Sequence, residues 1–277
     1  MADSGVWYTV AMRDDLEQTI AIAAETIGSS KRLIAFTGAG ISVESGVPTF
    51  RGEGGLWEAM DPSLLQIDRF NADPTASWEA IRELFYKRRP LPNAAHRILA
   101  EWERLGILSF IITQNIDGLH SAAGSRNVAE FHGSIRELVC LRCGARVAAT
   151  AEALDAGLLD SLPPRCSAPA ARGAVCGGLL KPDFVFFGEG IPPEAYESAL
   201  AAAESSDVCL IVGSTGLVYP AAQVPMLAKH AGAKIIEIDP GETEFSSGTS
   251  DVHIRLGASA AMIRLDDLVK ALRARIA

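Results

Sequence analysis

The chain has 277 residues, enough for one or two domains, and its formal net charge is −9 because 34 acidic residues outnumber 25 Lys plus Arg. Its 48% hydrophobic and 21% charged residues disfavour disorder and a coiled coil, and the acidic balance disfavours nucleic-acid binding by bulk charge. No apolar run reaches the length of a membrane span, and the first residues lack a secretory-signal pattern. We therefore expect a cytoplasmic protein with reduced cysteines and without direct nucleic-acid or membrane partners.

Helical and strand-like patterns alternate along most of the chain. Asp14–Ile27 has apolar residues at helical spacing, and the apolar run Leu33–Thr37 that follows predicts a buried strand. Continuously apolar strands that alternate with amphipathic helices are typical of a parallel sheet covered on both faces. The sequence therefore predicts an α/β fold with a Rossmann-like doubly wound sheet. The further strands are predicted at Ile107–Thr113, Val208–Gly213 and Lys234–Asp239, and the further helices at Ala94–Leu105, Pro193–Glu204, Ala221–Ala231 and Leu265–Ile276.

Two stretches interrupt this alternation and are interpreted as insertions at the carboxyl edge of the sheet, where such folds bind ligands. Residues 44–92 are rich in Gly, Pro and polar residues and include the short helical piece Ser77–Lys87. Residues 134–181 hold four of the five cysteines. The predicted organisation is a nucleotide-binding domain with two insertions. The domain comprises residues 14–43, 93–133 and 182–277, the cofactor-loop and helical insertion comprises residues 44–92, and the cysteine-bearing module comprises residues 134–181.

The first predicted strand runs directly into a glycine turn, Gly38-Ala39-Gly40. Glycines permit a tight bend and let backbone N–H groups approach phosphate oxygens. The third glycine of the oxidoreductase fingerprint is absent, because Val43 stands at its position, so the turn alone fits a structural role equally well. A loop of small residues follows and ends in Phe and Arg, which suits closure over a nucleotide.

Two later strands also end in residues that suit a nucleotide. Asp239 can accept hydrogen bonds from ribose hydroxyls, although an acid that only caps a strand is the alternative. Gly213-Ser214-Thr215 offers a second group of backbone donors of phosphate size.

Four motifs occur in an order that resembles the sirtuins, which are NAD-dependent protein deacylases. They are GAGISVESGVPTFRG from Gly38, TQNIDGLH from Thr113, His132-Gly133, and FFGE from Phe186. The resemblance covers nearly the whole chain from about residue 30. It implies a Rossmann-like domain with a smaller zinc-binding domain, and removal of acyl groups from lysine side chains of proteins or peptides. Nicotinamide and O-acyl-ADP-ribose are the implied products, and NAD is consumed as a co-substrate.

The resemblance also implies roles for single residues. Gln114, Asn115 and Asp117 would line the nicotinamide and ribose pocket, although turn and cap formation is their alternative role. His132 would be the general base, since an imidazole can accept a proton near neutral pH; His120 would support the loop. Residues implied to contact NAD also include Gly38, Ala39, Gly40, Ser42, Thr49, Phe50, Arg51, Gly213, Ser214, Thr215, Asp239 and Ala258, and residues implied to contact the peptide are Phe187, Gly188, Glu189, Val218 and Tyr219.

Four cysteines are interpreted as the ligands of a structural Zn²⁺. Cys140 and Cys143 form a C-x2-C pair, and Cys166 and Cys176 follow as a C-x9-C pair, which is wider than the C-x2-C or C-x4-C of many sirtuins. Four thiolates suit tetrahedral zinc, and the Pro, Ala and Gly residues between the second pair could loop out. Cys209 is predicted to be a buried core residue.

The acyl group that this chain prefers stays open at the level of the sequence. Tyr86 and Arg89 have the spacing of the pair with which some sirtuins bind succinyl, malonyl or glutaryl lysine, and a basic helix end is the alternative. Leu65 or Gln66 stands where those sirtuins have a small residue. Protein ADP-ribosyl transfer or NAD hydrolysis in the same pocket is the alternative activity, and a non-enzymatic NAD-binding module is a third interpretation.

Overall fold

The computed structural model describes residues 4–49 and 55–276. The strands of this part of the chain are β1 (Leu33–Thr37), β2 (Leu108–Thr113), β3 (Val128–Glu130), β4 (Gly133–Cys140), β5 (Arg146–Ala148), β6 (Leu180–Phe184), β7 (Val208–Val212), β8 (Lys234–Ile238) and β9 (Val252–Ile254). Its α-helices are α1 (Ser4–Ser29), α2 (Leu56–Ala59), α3 (Ile67–Ala72), α4 (Pro74–Ile81), α5 (Ala94–Arg104), α6 (Leu119–Ala123), α7 (Ala151–Asp155), α8 (Pro193–Ser205), α9 (Gln223–His230) and α10 (Ala258–Ile276).

A six-stranded parallel sheet in the order β3-β2-β1-β7-β8-β9 forms the larger part of the fold. The chain moves outward from β1 to β2 and β3 on one side, and later from β7 to β8 and β9 on the other. The strand order therefore reverses between β1 and β7, and ligands bind at such a switch point, beyond the carboxyl ends of the strands. The predicted doubly wound α/β fold is confirmed.

Helices cover both faces of this sheet, which explains why its strands are continuously apolar. All five residues of β1 are buried. Leu33 and Ala35 face a core formed with α1, α5 and α10, while Ile34 and Phe36 face a second core formed with α8 and α9. Because side chains alternate along a strand, each face needs its own apolar set.

A smaller antiparallel sheet in the order β5-β4-β6 belongs to the cysteine-bearing part of the chain, and the sequence patterns did not predict it. It shares one apolar core with the helices of residues 56–86. Trp78 and Phe70 from those helices lie in the same buried cluster as Leu138 of β4 and Phe186. The two stretches interpreted as separate insertions thus bury their apolar residues against each other.

Element ends differ from the predictions in places. Helix α1 begins at Ser4, ten residues before Asp14, and α10 begins at Ala258, seven residues before Leu265. The short strands β3 and β9 lie at the two edges of the parallel sheet and carry too few residues for a periodic signal. Helix α4 continues as a π-helical turn at Arg82–Tyr86. Of the helices among the described residues, none has the length and apolarity to cross a bilayer.

Candidate active site

A cavity of about 680 Å³ lies at the carboxyl ends of β1, β2, β7 and β8, between the parallel sheet and the smaller sheet. This volume is within the range of small-molecule sites. Ser42 and Asp117 lie behind its surface, and Phe50 and Arg51 lie outside the described residues. The predicted site residues in its wall are Gly38, Ala39, Gly40, Thr49, Gln114, Asn115, His132, Phe187, Gly188, Glu189, Gly213, Ser214, Thr215, Val218, Tyr219, Asp239 and Ala258.

The turns that follow β1 and β7 contact each other through glycines. The Gly40 N–H donates to the Gly213 carbonyl oxygen at 2.9 Å, and a Cβ on Gly40 would lie 2.5 Å from the Gly213 Cα. Gly213 also has a left-handed φ of +62°. Only residues without a side chain allow this approach. The bare backbone forms a cradle at the switch point that fits the phosphates of a dinucleotide. The third glycine of the fingerprint is missing here, and Gly213, which follows a second strand, allows a close backbone approach of the kind that the third glycine allows in other dinucleotide-binding folds.

A buried hydrogen-bond chain supports the loop after β2. The Asn115 Nδ2 group donates to the Gly38 carbonyl at 3.0 Å and to the Ser42 hydroxyl at 3.1 Å. Ser42 in turn donates to the Asp117 carboxylate at 2.7 Å, and that carboxylate also accepts from the Leu119 N–H at 2.9 Å. Burial raises the pKa of Asp117, while these two hydrogen bonds oppose the shift. These hydrogen bonds hold the carboxamide of Asn115 at the cavity wall.

A smaller cavity of about 50 Å³ adjoins the first one and shares Ala39, Phe85, Asn115 and Ile116 with it. Asp117 lines this smaller cavity rather than the larger one. Both amide hydrogens of Asn115 are donated to Gly38 and Ser42, so Asn115 Oδ1 and the Asp117 carboxylate offer acceptors to the N–H groups of a carboxamide. The nicotinamide end of NAD fits this arrangement.

Two buried histidines lie beneath the loop, and the sequence motifs identified only one of them. His120 Nε2 is hydrogen-bonded to the Thr37 hydroxyl at 2.9 Å, and the His96 and His120 rings contact each other with centroids 4.9 Å apart. Burial lowers the pKa of His96 to about 4 and that of His120 to about 3. Both imidazoles are therefore neutral near pH 7. His96 lies on α5, outside the motifs of the sequence analysis.

His132 lies at the cavity wall, directly before β4. Its Nδ1 is 3.0 Å from the Gln114 carbonyl oxygen. A carbonyl only accepts, so Nδ1 carries the proton of the neutral ring and Nε2 is free to accept another. Burial lowers the pKa of His132 below its ordinary value of 6.5, and the bond to Gln114 partly opposes this. The imidazole is thus a neutral proton acceptor that faces the cavity.

Asp239 and Ser214 mark the opposite part of the cavity. The Asp239 carboxylate accepts from the Gly241 N–H at 2.9 Å, and burial raises its pKa. The Ser214 hydroxyl accepts from the Gln114 amide at 2.8 Å, which ties the ends of β7 and β2 together. Asp239 therefore keeps a carboxylate oxygen at the cavity, as a ribose partner requires.

In the FFGE segment the backbone of Phe187 is paired with residues of the same chain. The Phe187 N–H donates to the Leu65 carbonyl at 2.9 Å, and the Phe187 carbonyl accepts from the Ile67 N–H at 3.0 Å. The backbone of Phe187 is thus already paired within the chain, while its ring is half exposed at the mouth of the cavity beside Tyr219. A peptide that adds as a strand would have to pair beyond Phe187, from Gly188 onward.

Tyr86 and Arg89 do not meet at either cavity. Tyr86 is 8% exposed and its hydroxyl donates to the Ile135 carbonyl at 2.9 Å, while Arg89 forms an ion pair with Asp155 at the surface. Burial raises the pKa of Tyr86. The helix ends at Tyr86, so the three-residue spacing no longer places both side chains on one face. Phe85 lines both cavities instead, and Leu65 lines the larger one.

The sulfur atoms of Cys140, Cys143, Cys166 and Cys176 all lie within 4.8 Å of one another. The Cys140–Cys176 and Cys143–Cys166 sulfurs are 3.8 Å apart in each case. Four thiolates around one zinc ion with Zn–S bonds of about 2.3 Å would be separated by about 3.8 Å, so the cluster fits tetrahedral zinc. Cys209 is buried in the core under α8 and α9, as predicted.

The unusual C-x9-C spacing is accommodated by a hairpin. The Cys176 N–H donates to the Ala168 carbonyl and the Ala170 N–H donates to the Ala174 carbonyl, so the chain turns back between the two cysteines. Gly178 then passes close to the cluster, where a Cβ would lie 2.6 Å from the Cys140 sulfur. The nine intervening residues therefore form a closed turn rather than a loose loop.

Known proteins match this chain over most of its length. The model of the Sir2 family matches residues 38–220. NAD-dependent protein deacylase 2 of Pyrobaculum aerophilum is 44% identical over 251 residues, which are 89% of this chain and 94% of that protein. The NAD-dependent protein deacetylase of Caldivirga maquilingensis is 44% identical over 253 residues, which are 91% of this chain and 94% of that protein.

Solved structures show the same fold. A structure described as a basis for the mechanism and regulation of Sir2 enzymes has a TM-score of 0.82 and 42% identity, and covers 93% of this chain and 100% of its own. A Sir2 variant with a deacetylated p53 peptide and 3′-O-acetyl ADP ribose has a TM-score of 0.81 and 30% identity, over 90% of this chain and 97% of its own. A Sir2 homologue in complex with NAD has a TM-score of 0.76 and 38% identity, over 92% of this chain and 94% of its own.

Proposed function

The chain belongs to the Sir2 family, and from this premise we propose that it is an NAD-dependent deacylase of lysine side chains in proteins and peptides. The products would be nicotinamide and O-acyl-ADP-ribose. The observation that carries the proposal is that one cavity contains a glycine cradle, the Asn115 carboxamide, a neutral His132 and an open peptide-facing rim. Curated relatives named deacylase and deacetylase support the same activity.

Different ends of the cavity would hold the parts of NAD. The cradle of Gly38, Gly40 and Gly213 suits the phosphates, Asp239 suits the adenine ribose, and Asn115 with Asp117 suits the nicotinamide carboxamide. When bound, NAD would supply an electrophilic ribose carbon, C1′, at which the acyl oxygen of the substrate lysine would form a bond as nicotinamide leaves. The protein excludes water with the apolar side chains around this point, such as Phe85 and Ile116.

His132 would take the proton that the ribose hydroxyl releases as it captures the acyl group. The bond from Nδ1 to Gln114 fixes the tautomer and leaves Nε2 as the acceptor. Asn115 would orient the nicotinamide, and Ser42 and Asp117 would hold Asn115 from behind. These two act as positioning residues for the larger cavity.

We also propose that acetyl and other uncharged acyl groups are preferred over succinyl and malonyl groups. Among the described residues that line the larger cavity, the ionisable ones are Glu44, Glu189, Asp239 and His132, together with Tyr219, and none is a Lys or Arg. An acyl carboxylate in the larger cavity would therefore have no cationic side chain in the wall, which is unfavourable in a desolvated site, and Arg88 lines only the smaller adjoining cavity. Arg89, the predicted partner, is engaged by Asp155 instead.

The activity is tested by incubating the protein with NAD and an acetyl-lysine or succinyl-lysine peptide of the same sequence, and measuring nicotinamide and O-acyl-ADP-ribose. Both products should form with the acetyl peptide in equal amounts, and only when NAD is present. Nicotinamide release that needs no acyl peptide would indicate NAD hydrolysis, and radiolabel transfer from NAD to protein would indicate ADP-ribosyl transfer. Faster turnover of the succinyl peptide would contradict the acyl preference alone.

A cytoplasmic location and a zinc ion of structural function complete the proposal. The zinc cluster is built from Cys140, Cys143, Cys166 and Cys176, none of which lines the larger cavity, so the ion would stabilise the smaller sheet without a part in the reaction. Thiolate ligands need a reducing compartment, which favours the cytoplasm. Acylated proteins are the proposed partners, and nucleic acid and membranes are not.

A further inference from the structure

Residues Phe184–Glu189 form one wall of the larger cavity. This wall packs around a buried lysine, Lys181, which does not itself line the cavity. Lys181 of β6 is 8% exposed, and its ammonium donates to the carbonyl oxygens of Pro182 at 3.1 Å and Phe184 at 2.8 Å. The same ammonium lies 2.9 Å from the Glu189 carboxylate and 4.5 Å from the centre of the Phe186 ring. Lys181 thus contacts both ends of this wall from behind.

Glu189 closes a turn in this wall through two hydrogen bonds with the backbone of Phe186. Its carboxylate accepts from the Phe186 N–H at 2.8 Å in addition to the Lys181 ammonium, and the Glu189 N–H donates to the Phe186 carbonyl at 3.0 Å. Both contacts of the carboxylate use the Oε2 atom of Glu189. Gly188, which lies between these contacts with a left-handed φ of +92°, presents its backbone at the cavity.

We infer that the Lys181–Glu189 pair is a positioning device that presents the Gly188 backbone and the Glu189 carbonyl to the acylated peptide. Phe187 cannot serve as the pairing edge, because its N–H and carbonyl are bonded to Leu65 and Ile67. The backbone that pairs with the peptide would then belong to the turn at Phe186–Glu189, which the ion pair holds in place. This inference rests on the proposed deacylase function. Glu189 acts in this proposal through the hold of its Oε2 atom on the turn.

Removal of Glu189 leaves the buried Lys181 ammonium without its compensating charge, and removal of Lys181 does the same to the half-buried Glu189 carboxylate, so either change should have a large effect. If the pair positions this turn, its loss weakens peptide binding while NAD binding and the chemical step remain. Lys181→Met should raise the peptide KM about tenfold and leave kcat and the NAD KM within about twofold. Lys181→Arg should recover most of the loss, because a guanidinium keeps the charge and the donors.

The experiment measures kcat and both KM values for the wild type, Lys181→Met, Lys181→Arg, Glu189→Gln and the Lys181→Met/Glu189→Gln double variant. Lys234→Met is the matched control, since Lys234 is an exposed lysine on β8 away from the cavity. Because the two residues act as one unit, the double variant should have a peptide KM no higher than that of Lys181→Met. Melting temperature and zinc content identify any variant that fails to fold, in which case Glu189→Gln alone carries the test.

An unchanged peptide KM in folded Lys181→Met and Glu189→Gln would overturn the inference. An equal rise in the NAD KM, or no recovery with Lys181→Arg, would also overturn it, because a general packing defect predicts both. Absence of acetyl-peptide turnover in the wild type would refute the proposed deacylase function instead, so the two failures are distinguishable.

Discussion

The two sides of the cavity are built differently. The floor, formed by the glycine cradle, Asn115 and His132, comes from residues that follow strands of the parallel sheet, and hydrogen bonds between the ends of neighbouring strands hold it. The wall, formed by Phe184–Glu189, is positioned by the ion pair of Lys181 with Glu189 and by residues 65 and 67, which lie far earlier in the sequence. Motifs in the sequence describe the floor well, whereas the wall depends on which distant segments pack together.

This difference implies that the floor carries the chemistry and the wall carries peptide recognition. His132→Ala should lower kcat about 100- to 10,000-fold, the usual range for loss of a general base, with little change in melting temperature. Nicotinamide and O-acyl-ADP-ribose release by the variant, at saturating NAD and acetyl peptide, checks this. Full turnover would remove His132 from the mechanism.

The zinc cluster should stabilise the smaller sheet that anchors the wall. Cys166→Ser should remove bound zinc and lower the melting temperature by many degrees, because binding free energy of a structural zinc is also folding free energy. Metal analysis of purified protein and calorimetry measure both effects. Cys209→Ser tests a cysteine outside the cluster, and its zinc content should equal that of the wild type.

The cradle should tolerate no side chain. Gly40→Ala places a methyl group against the Gly213 backbone and should raise the NAD KM at least tenfold while the peptide KM changes less. Gly248→Ala is the matched control, because an added Cβ there meets nothing within 4 Å. Equal NAD KM values for the two variants would show that the turns after β1 and β7 move apart to accept a methyl group, and that the floor is not rigid.

Acid should lower the free energy of unfolding, because His96 and His120 are buried beneath the floor of the cavity. In the folded protein His96 has a pKa of about 4 and His120 of about 3, whereas both titrate near 6.5 when unfolded. The unfolded state therefore binds more protons below pH 6.5, and stability falls with decreasing pH by up to about 1.4 kcal/mol per unit for each histidine.

Urea unfolding between pH 7 and pH 4.5 tests this slope. His96→Gln should reduce it, while His230→Gln, at an exposed position, should not. The same slope in both variants would mean that His96 is not held neutral in the folded state.

The smallest effect is expected at the surface pair of Arg89 with Asp155. Arg89→Met should leave the ratio of acetyl to succinyl turnover within about twofold of the wild type, since a surface ion pair contributes little. Turnover of both peptides by Arg89→Met and Tyr86→Phe measures the ratio. A selective loss of succinyl turnover would restore the acidic-acyl interpretation of Tyr86-x-x-Arg89.

Several features of the fold and the site are predictable from short stretches of sequence. The strand at Leu33–Thr37 was predicted with both of its ends, and the Sir2 family, the doubly wound fold and the four-cysteine zinc cluster are confirmed. Local signals suffice for these features, because an apolar run, a glycine turn or a cysteine pair depends on neighbours in sequence. The division of the chain into residues 14–43, 93–133 and 182–277 with two insertions, and the roles of single site residues, remain predictions.

Other features depended on contacts that local patterns do not contain. The antiparallel sheet β5-β4-β6 is built from strands as far apart as Gly133 and Phe184, and His96 reaches the site only because α5 packs beside the loop after β2. The spacing of Tyr86 and Arg89 likewise does not show where their side chains lie, because the helix ends at Tyr86 and Arg89 pairs with the distant Asp155.

Length, composition and motif order therefore determined the class of fold, the acidic character and the family of this protein. The tertiary structure alone decided that Asp117 lies behind the larger cavity, that Phe187 is already paired with residues 65 and 67, and that Lys181 supports the wall. The physical reason is the range of the interactions. Periodicity and turn chemistry act over a few residues, whereas burial of a charge or pairing of a backbone edge is set by segments that meet only after folding.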